Sequence, residues 1–127
     1  MALIQGIHHV CLKTCSEEEY KKTVDFYKNV LELTAALEWE NGTMLHTGSG
    51  IIEIINNAVA PLPQGAVRHF ALATADVDAC VKKVADAGYE VFIEPKDIVF
   101  SSTPAFPARI AFCHGPVGEE LEFFQER

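Results

Sequence analysis

Apolar and polar or small positions alternate along HHVCLKT (8–14), which puts Val10 and Leu12 on one face of a strand and His9, Cys11 and Lys13 on the other. The alternation returns in RHFALAT (68–74), where His69 falls on His9 sixty residues later and Phe70 and Leu72 take the apolar side. A helix is predicted after each strand. The first opens on a capping box, Ser16 with Glu19, and carries an apolar stripe through Tyr20, Val24, Tyr27 and Leu31. The second starts near Thr74 to Asp76, shows Val77, Val81 and Val84, and stops at Gly88. Three strand-like runs follow each helix: LTAALEWE, TMLHTG and IIEIIN, then EVFIEP, ARIAFCHG and ELEFFQ. Turn signals such as Asn41-Gly42 and Gly115-Pro116 separate them.

Each half therefore reads β-α-β-β-β. The expected fold is α+β, a single domain built of two repeated βαβββ modules, 5–57 and 66–126, joined by a linker 58–65 that contains Pro61 and Pro63. A sheet with one helix on one face leaves the other face open. Two such sheets side by side would enclose a shared cavity lined by the faces that carry His9 and His69. Lys96 to Pro107 is expected to be an irregular loop, apolar at Ile98, Val99, Phe100 and Phe106.

Composition narrows the class. At 127 residues and 49% hydrophobic, the chain can bury a core. No stretch approaches the roughly twenty apolar residues of a membrane span, and the N-terminus lacks signal-peptide form, so a cytoplasmic location is expected. A net charge of −8 without a basic cluster disfavours nucleic acid and anionic membranes as partners. Cys11, Cys15, Cys80 and Cys113 form no CxxC pair and read as reduced thiols, mostly in the core.

Chemistry enters with two glutamates. Glu53 sits within IIEII and Glu122 within LEFF, in equivalent last strands, and an ionised carboxylate there costs several kcal/mol unless a cation meets it. With the paired histidines, each module offers one metal-competent residue on its first strand and one on its last. His9, Glu53, His69 and Glu122 are thus the expected ligands of one divalent metal ion, with room for one or two waters where substrate enters. Zinc, nickel, cobalt, manganese and iron all suit such donors. Strand alternation sends His8 to the opposite face, and its repeat partner is Arg68. His46 and His114 find no metal-competent repeat partner and read as structural or surface residues. Cys11 reads as a small residue lining the cavity beside His9.

Over nearly its whole length the chain resembles the vicinal oxygen chelate superfamily, the glyoxalase, bleomycin-resistance and extradiol-dioxygenase group. HVCLKT, DFYKNVLEL (25–33) and RIAFCHGPVGEELEFF (109–124) carry the likeness. The His, Glu, His, Glu order looks like glyoxalase I (lactoylglutathione lyase). That resemblance implies a metal-dependent lyase or isomerase that converts the hemithioacetal of a thiol and a 2-oxoaldehyde, of the methylglyoxal type, through a metal-stabilised enediolate. It further implies Glu122 as the principal base with Glu53 as the second catalytic carboxylate, Lys13 and Asn57 as substrate-binding residues, and a thiol cosubstrate such as glutathione. If strands are exchanged between copies, His9 and Glu53 come from one subunit and His69 and Glu122 from the other, so a homodimer is expected. Lys13 stands where arginine is usual and Glu32 where glycine is familiar, and IVFSSTPAF (98–106) replaces a basic, glycine-containing loop. The alternatives are another metalloenzyme of the superfamily, epimerase or dioxygenase-like, and a metal-free binding or resistance protein that sequesters an apolar ligand.

Overall fold

A computed structural model describes residues 2–3 and 5–127, and the backbone divides into two compact units, Met1–Leu62 and Pro63–Arg127. The first unit runs β1 (His9–Thr14), α1 (Glu17–Asp25), β2 (Thr34–Trp39), β3 (Gly42–His46) and β4 (Ile51–Asn56). The second runs β5 (His69–Ala73), α2 (Val77–Asp86), β6 (Val91–Phe100), β7 (Phe106–His114) and β8 (Glu120–Glu126). Each holds one four-stranded sheet, in the orders β1-β4-β3-β2 and β5-β8-β7-β6. The fold is thus α+β, with a βαβββ module repeated.

In both modules the first strand pairs in parallel with the last and the remaining pairs are antiparallel. The helix makes the parallel return possible, because a tight turn cannot bring two strands together in the same direction. One sheet face in each module packs on its helix. In the first module Thr14, Thr43, Leu45, Ile52 and Ile54 are buried with Phe26 and Tyr27 of the helical segment. In the second, Ala111, Cys113, Leu121 and Phe123 are buried with Val77 and Val84 of α2. Polar groups in these cores are matched: the Tyr20 and Thr43 hydroxyls lie 2.7 Å apart, and the Thr14 hydroxyl donates to Asn56 Oδ1 at 2.9 Å.

The helix starts follow the expected chemistry. The Ser16 hydroxyl accepts from the Glu19 amide at 3.1 Å, while Glu19 reaches back to accept from the Cys15 amide at 3.0 Å. Asp76 caps α2 by accepting from the Ala79 amide at 3.0 Å. The end of the first helix differs from expectation. The stripe predicted through Leu31 ends in a wider turn over Phe26–Val30, in which the Leu31 amide donates to the Phe26 carbonyl at 2.9 Å. That extra residue per turn turns both Phe26 and Tyr27 into the core. Glu32 then leaves the helix with φ 62°, a left-handed conformation that suits glycine.

Two further expectations are corrected. Most of the segment 96–107 is strand: Ile98 pairs with Ala108, Val99 with Pro107 and Phe100 with Phe106, and only residues 101–105 connect them. Pro95 hides this continuity, because it occupies the interval between Ile93 and Lys96 where the register shifts, one of the few places a strand accepts proline. The cysteines are also not mostly core. Cys113 alone is buried, and burial pushes its thiol up to about 12, while Cys15 and Cys80 are half-buried and Cys11 is exposed.

Two outcomes test this account. Glu32→Gly removes a left-handed cost of about 1–2 kcal/mol but adds unfolded-state entropy, so a net gain of about 0.5–1 kcal/mol is expected in urea unfolding. A loss would show that the Glu32 side chain outweighs its backbone. The second concerns Arg109, whose Nε and Nη2 donate to Asp78 at 2.8 and 3.0 Å and whose Nη1 lies 3.3 Å from Asp97, which also meets Arg127. The Arg109 hydrogen bonds hold the Asp78 carboxyl below its ordinary value. At Asp97, desolvation pushes upward, but Arg109 and Arg127 outweigh it and the net direction is again down. Depressed carboxylates contribute stability that is complete above the unfolded value of about 3.9 and is lost as pH falls through the lower folded value. The wild-type advantage over Asp78→Asn in urea titrations should therefore be present at neutral pH and vanish towards pH 2. An advantage that grows on acidification would refute it.

Candidate metal centre

The open face of each sheet carries the predicted residues, and the strand register explains why they meet. His9 pairs across with Ile51, so Glu53, two residues further along the same face of β4, lies diagonal to it. His69 pairs with Glu120, which sets Glu122 diagonal to it on β8 in the same way. His9 Nε2 stands 3.5 Å from Glu53 Oε1, and His69 Nε2 stands 3.2 Å from Glu122 Oε1. The glutamates are the enclosed members of each pair, with side chains 12% and 10% exposed against 40% and 41% for the histidines.

Each glutamate thus faces a histidine and not a lysine or arginine. Arg109 projects from the opposite face of β7, to Asp78 of α2 and to Asp97. Burial pushes the Glu122 carboxyl up from its ordinary value, and the neighbouring His69 pulls it partly back. A carboxylate so placed is stabilised by any cation that reaches it. Two donors bound side by side in an octahedral shell at about 2.1 Å stand about 3.0 Å apart, close to the two spacings seen here. The donors present in each module therefore fit one edge of a divalent-metal shell. Among the described residues, no group of three or more His, Cys, Asp or Glu side chains is gathered that could hold a metal ion.

The surroundings add features the alternation pattern conceals. His8 lies just before β1, so strand geometry does not send it away; its Nδ1 is 3.0 Å from His9 Nδ1 and the rings meet edge to face. With Nδ1 engaged, His9 presents Nε2 towards Glu53, the kind of support that fixes ring orientation in a ligating histidine. His69 is steadied differently, by an edge-to-face contact with Phe112 at 5.1 Å between ring centres. The register also corrects the reading of His46 and His114. His46 pairs with Ile51 and His114 with Glu120, so the two are equivalent after all. Each stands two strands from the first-strand histidine of its module, about 10 Å, too far to share its coordination edge. His114 is tied to Glu90 at 2.6 Å and stacks on Phe92.

The first module supplies the remaining candidates. Cys11 pairs with Glu53 on the open face, and partial burial together with that carboxylate pushes its thiol up while Lys13 opposes the shift. Lys13 is exposed further along the same face of β1, and Asn57 is exposed just beyond β4. No described helix is long and apolar enough to cross a membrane.

No curated protein sequence matches the chain. Among solved structures, it is similar to a lactoylglutathione lyase from Agrobacterium tumefaciens, at 17% identity over 98% of this chain and 96% of that one, with a TM-score of 0.68. It is similar to TnmS3, an antibiotic binding protein from Streptomyces sp. CB03234, at 19% identity over the whole of both chains, with a TM-score of 0.72. Virulence protein STM3117 from Salmonella typhimurium matches at 20% identity over 98% of each chain, with a TM-score of 0.68. These likenesses are likenesses of fold. The family model for the Glyoxalase/Bleomycin resistance protein/Dioxygenase superfamily matches residues 6–123, and the chain belongs to that superfamily.

Proposed function

We infer that the chain is a metal-dependent isomerase of the glyoxalase I type, with His9, Glu53, His69 and Glu122 as the ligands of one divalent ion. Zinc, nickel, cobalt, manganese or iron would suit it, and the substrate is the hemithioacetal of a thiol such as glutathione and a 2-oxoaldehyde. One observation carries the reading: the duplicated module repeats an imidazole and a sheltered carboxylate at the same diagonal register, 3.5 and 3.2 Å apart. A protein that only enclosed an apolar ligand would gain nothing from two such carboxylates. The ligands come two from each module, of one chain or of two copies in a homodimer in the cytoplasm.

When bound, a divalent ion supplies Lewis acidity to two adjacent substrate oxygens. The chain's own residues do the rest. Glu122 Oε takes a proton from one carbon and returns it to the neighbouring carbon, a transfer its position at the sheltered end of the pair protects from water. Glu53 is the second catalytic carboxylate. His8 and Phe112 keep the imidazoles oriented. Lys13 and Asn57 lie on or beside the first module's open face, where they meet the polar parts of the thiol.

The test is metal content by elemental analysis of the purified chain, before and after stripping and reloading, followed by assay of methylglyoxal with several thiols. One ion per chain and isomerase activity are expected. Glu122→Gln should retain the metal and lose about 100-fold or more in kcat, whereas His9→Ala should weaken metal uptake. Absence of metal after reloading would overturn the metal reading, and an active Glu122→Gln would overturn the base assignment.

A further inference from the structure

Beyond the metal pair, the open face of the second sheet carries a feature with no counterpart in the first. Phe100 of β6, Phe106 of β7 and Phe124 of β8 form a triangle of rings with centres 6.0 to 6.2 Å apart. Phe100 is 45% exposed and Phe106 38% exposed. Phe124 lies two residues beyond Glu122 on the same strand and the same face, about 7 Å along it. At the position equivalent to Phe124 the first module has Ile55. Its β2–β3 hairpin closes at Asn41, so nothing there corresponds to Phe100 or Phe106. The longer β6–β7 hairpin is what builds the triangle.

We propose that this triangle is the subsite for an aryl group of the substrate, so that the molecule held beside Glu122 is an aryl-substituted compound with two adjacent oxygens. The proposal rests on the metal-site reading for the oxygens, but the ring subsite stands on its own contacts. A ring joined directly to a carbonyl beside Glu122 spans the distance to Phe124, and the exposed Phe100 and Phe106 rings beside half-buried Phe124 reward a flat apolar group rather than a flexible polar one. Charge points the same way. Near the triangle the face offers one cation, Lys96, in the row of Ile110 and Phe124, and a carboxylate, Glu126, opposite Ala108. An uncharged ring sits between Glu126 and Lys96 without needing a charged partner of its own.

Benzoylformate and pyruvate share the 2-oxo acid head and differ in phenyl against methyl, so they isolate the subsite. Their affinities for the full chain are measured by calorimetry and ligand-observed NMR, with nickel loaded and with metal stripped, alongside the oligomeric state. Benzoylformate should bind at least tenfold more tightly than pyruvate to the loaded protein. Phe100→Ala and Phe106→Ala should each reduce that ratio below threefold and leave pyruvate binding and metal content unchanged. Normal metal uptake with equal affinities overturns the aryl subsite and leaves the metal reading standing. A phenylalanine-dependent preference in a protein that takes up no metal does the reverse. If either variant instead dissociates a dimer and no preference exists in the wild type, the triangle is an interface between copies and the proposal falls.

Discussion

A carboxylate on a central strand with neighbours on both sides is expensive: it loses water, and only a positive or hydrogen-bonding group can return the lost energy. Both modules accept this cost at the same place, on the last strand, which the parallel first strand borders on one side and the third strand on the other. The parallel pairing decides what can meet the charge. Because the first strand is offset by two residues from the glutamate, its leading histidine points Nε2 at the carboxylate in each module. The helix that makes that parallel return also fills the opposite face, so the pair stays on the open one. Topology, burial and candidate chemistry thus follow from one constraint.

Much of this was readable beforehand because the strand period is two. HHVCLKT and RHFALAT announced the duplication, the capping pair Ser16 and Glu19 announced the first helix, and the sheltered glutamates stood out against Ile and Phe. What escaped has local causes. Pro95 interrupts the β6 pattern at an irregularity, so a ten-residue strand looked like a short strand and a loop. The wider turn at Phe26–Val30 depends on how Phe26 and Tyr27 pack together, which periodicity does not encode. His46 and His114 looked unrelated because the second hairpin is longer, so the spacing of sixty residues that matches His9 to His69 no longer applies by the third strand.

The two modules have kept the pair and diverged around it. In the first, the residue across from Glu53 on β1 is Cys11 and on β3 Met44; in the second, the residues across from Glu122 are Ala71 and Phe112. The histidines are held by different neighbours, His8 in one case and Phe112 in the other, although their Nε2 atoms end up at similar distances from the carboxylates. The pair is constant while its support differs, because a sheltered carboxylate needs its partner whatever holds that partner in place.

That divergence also separates two kinds of specificity within one chain. Residues repeated between modules give each sheet the same imidazole and carboxylate, and any difference in what the two open faces can hold comes from residues that are not repeated. On the first module's open face these include Cys11 and Lys13 on β1 and Met44, Leu37 and Trp39 on β3 and β2; on the second they are the rings at 92, 100, 106, 112 and 124. The longer β6–β7 hairpin brings two of those rings next to the third without disturbing the register that sets Glu122 diagonal to His69. A change confined to β6 and β7 is physically inexpensive for the site, because the parallel pair β5 and β8, which positions the carboxylate, lies outside it.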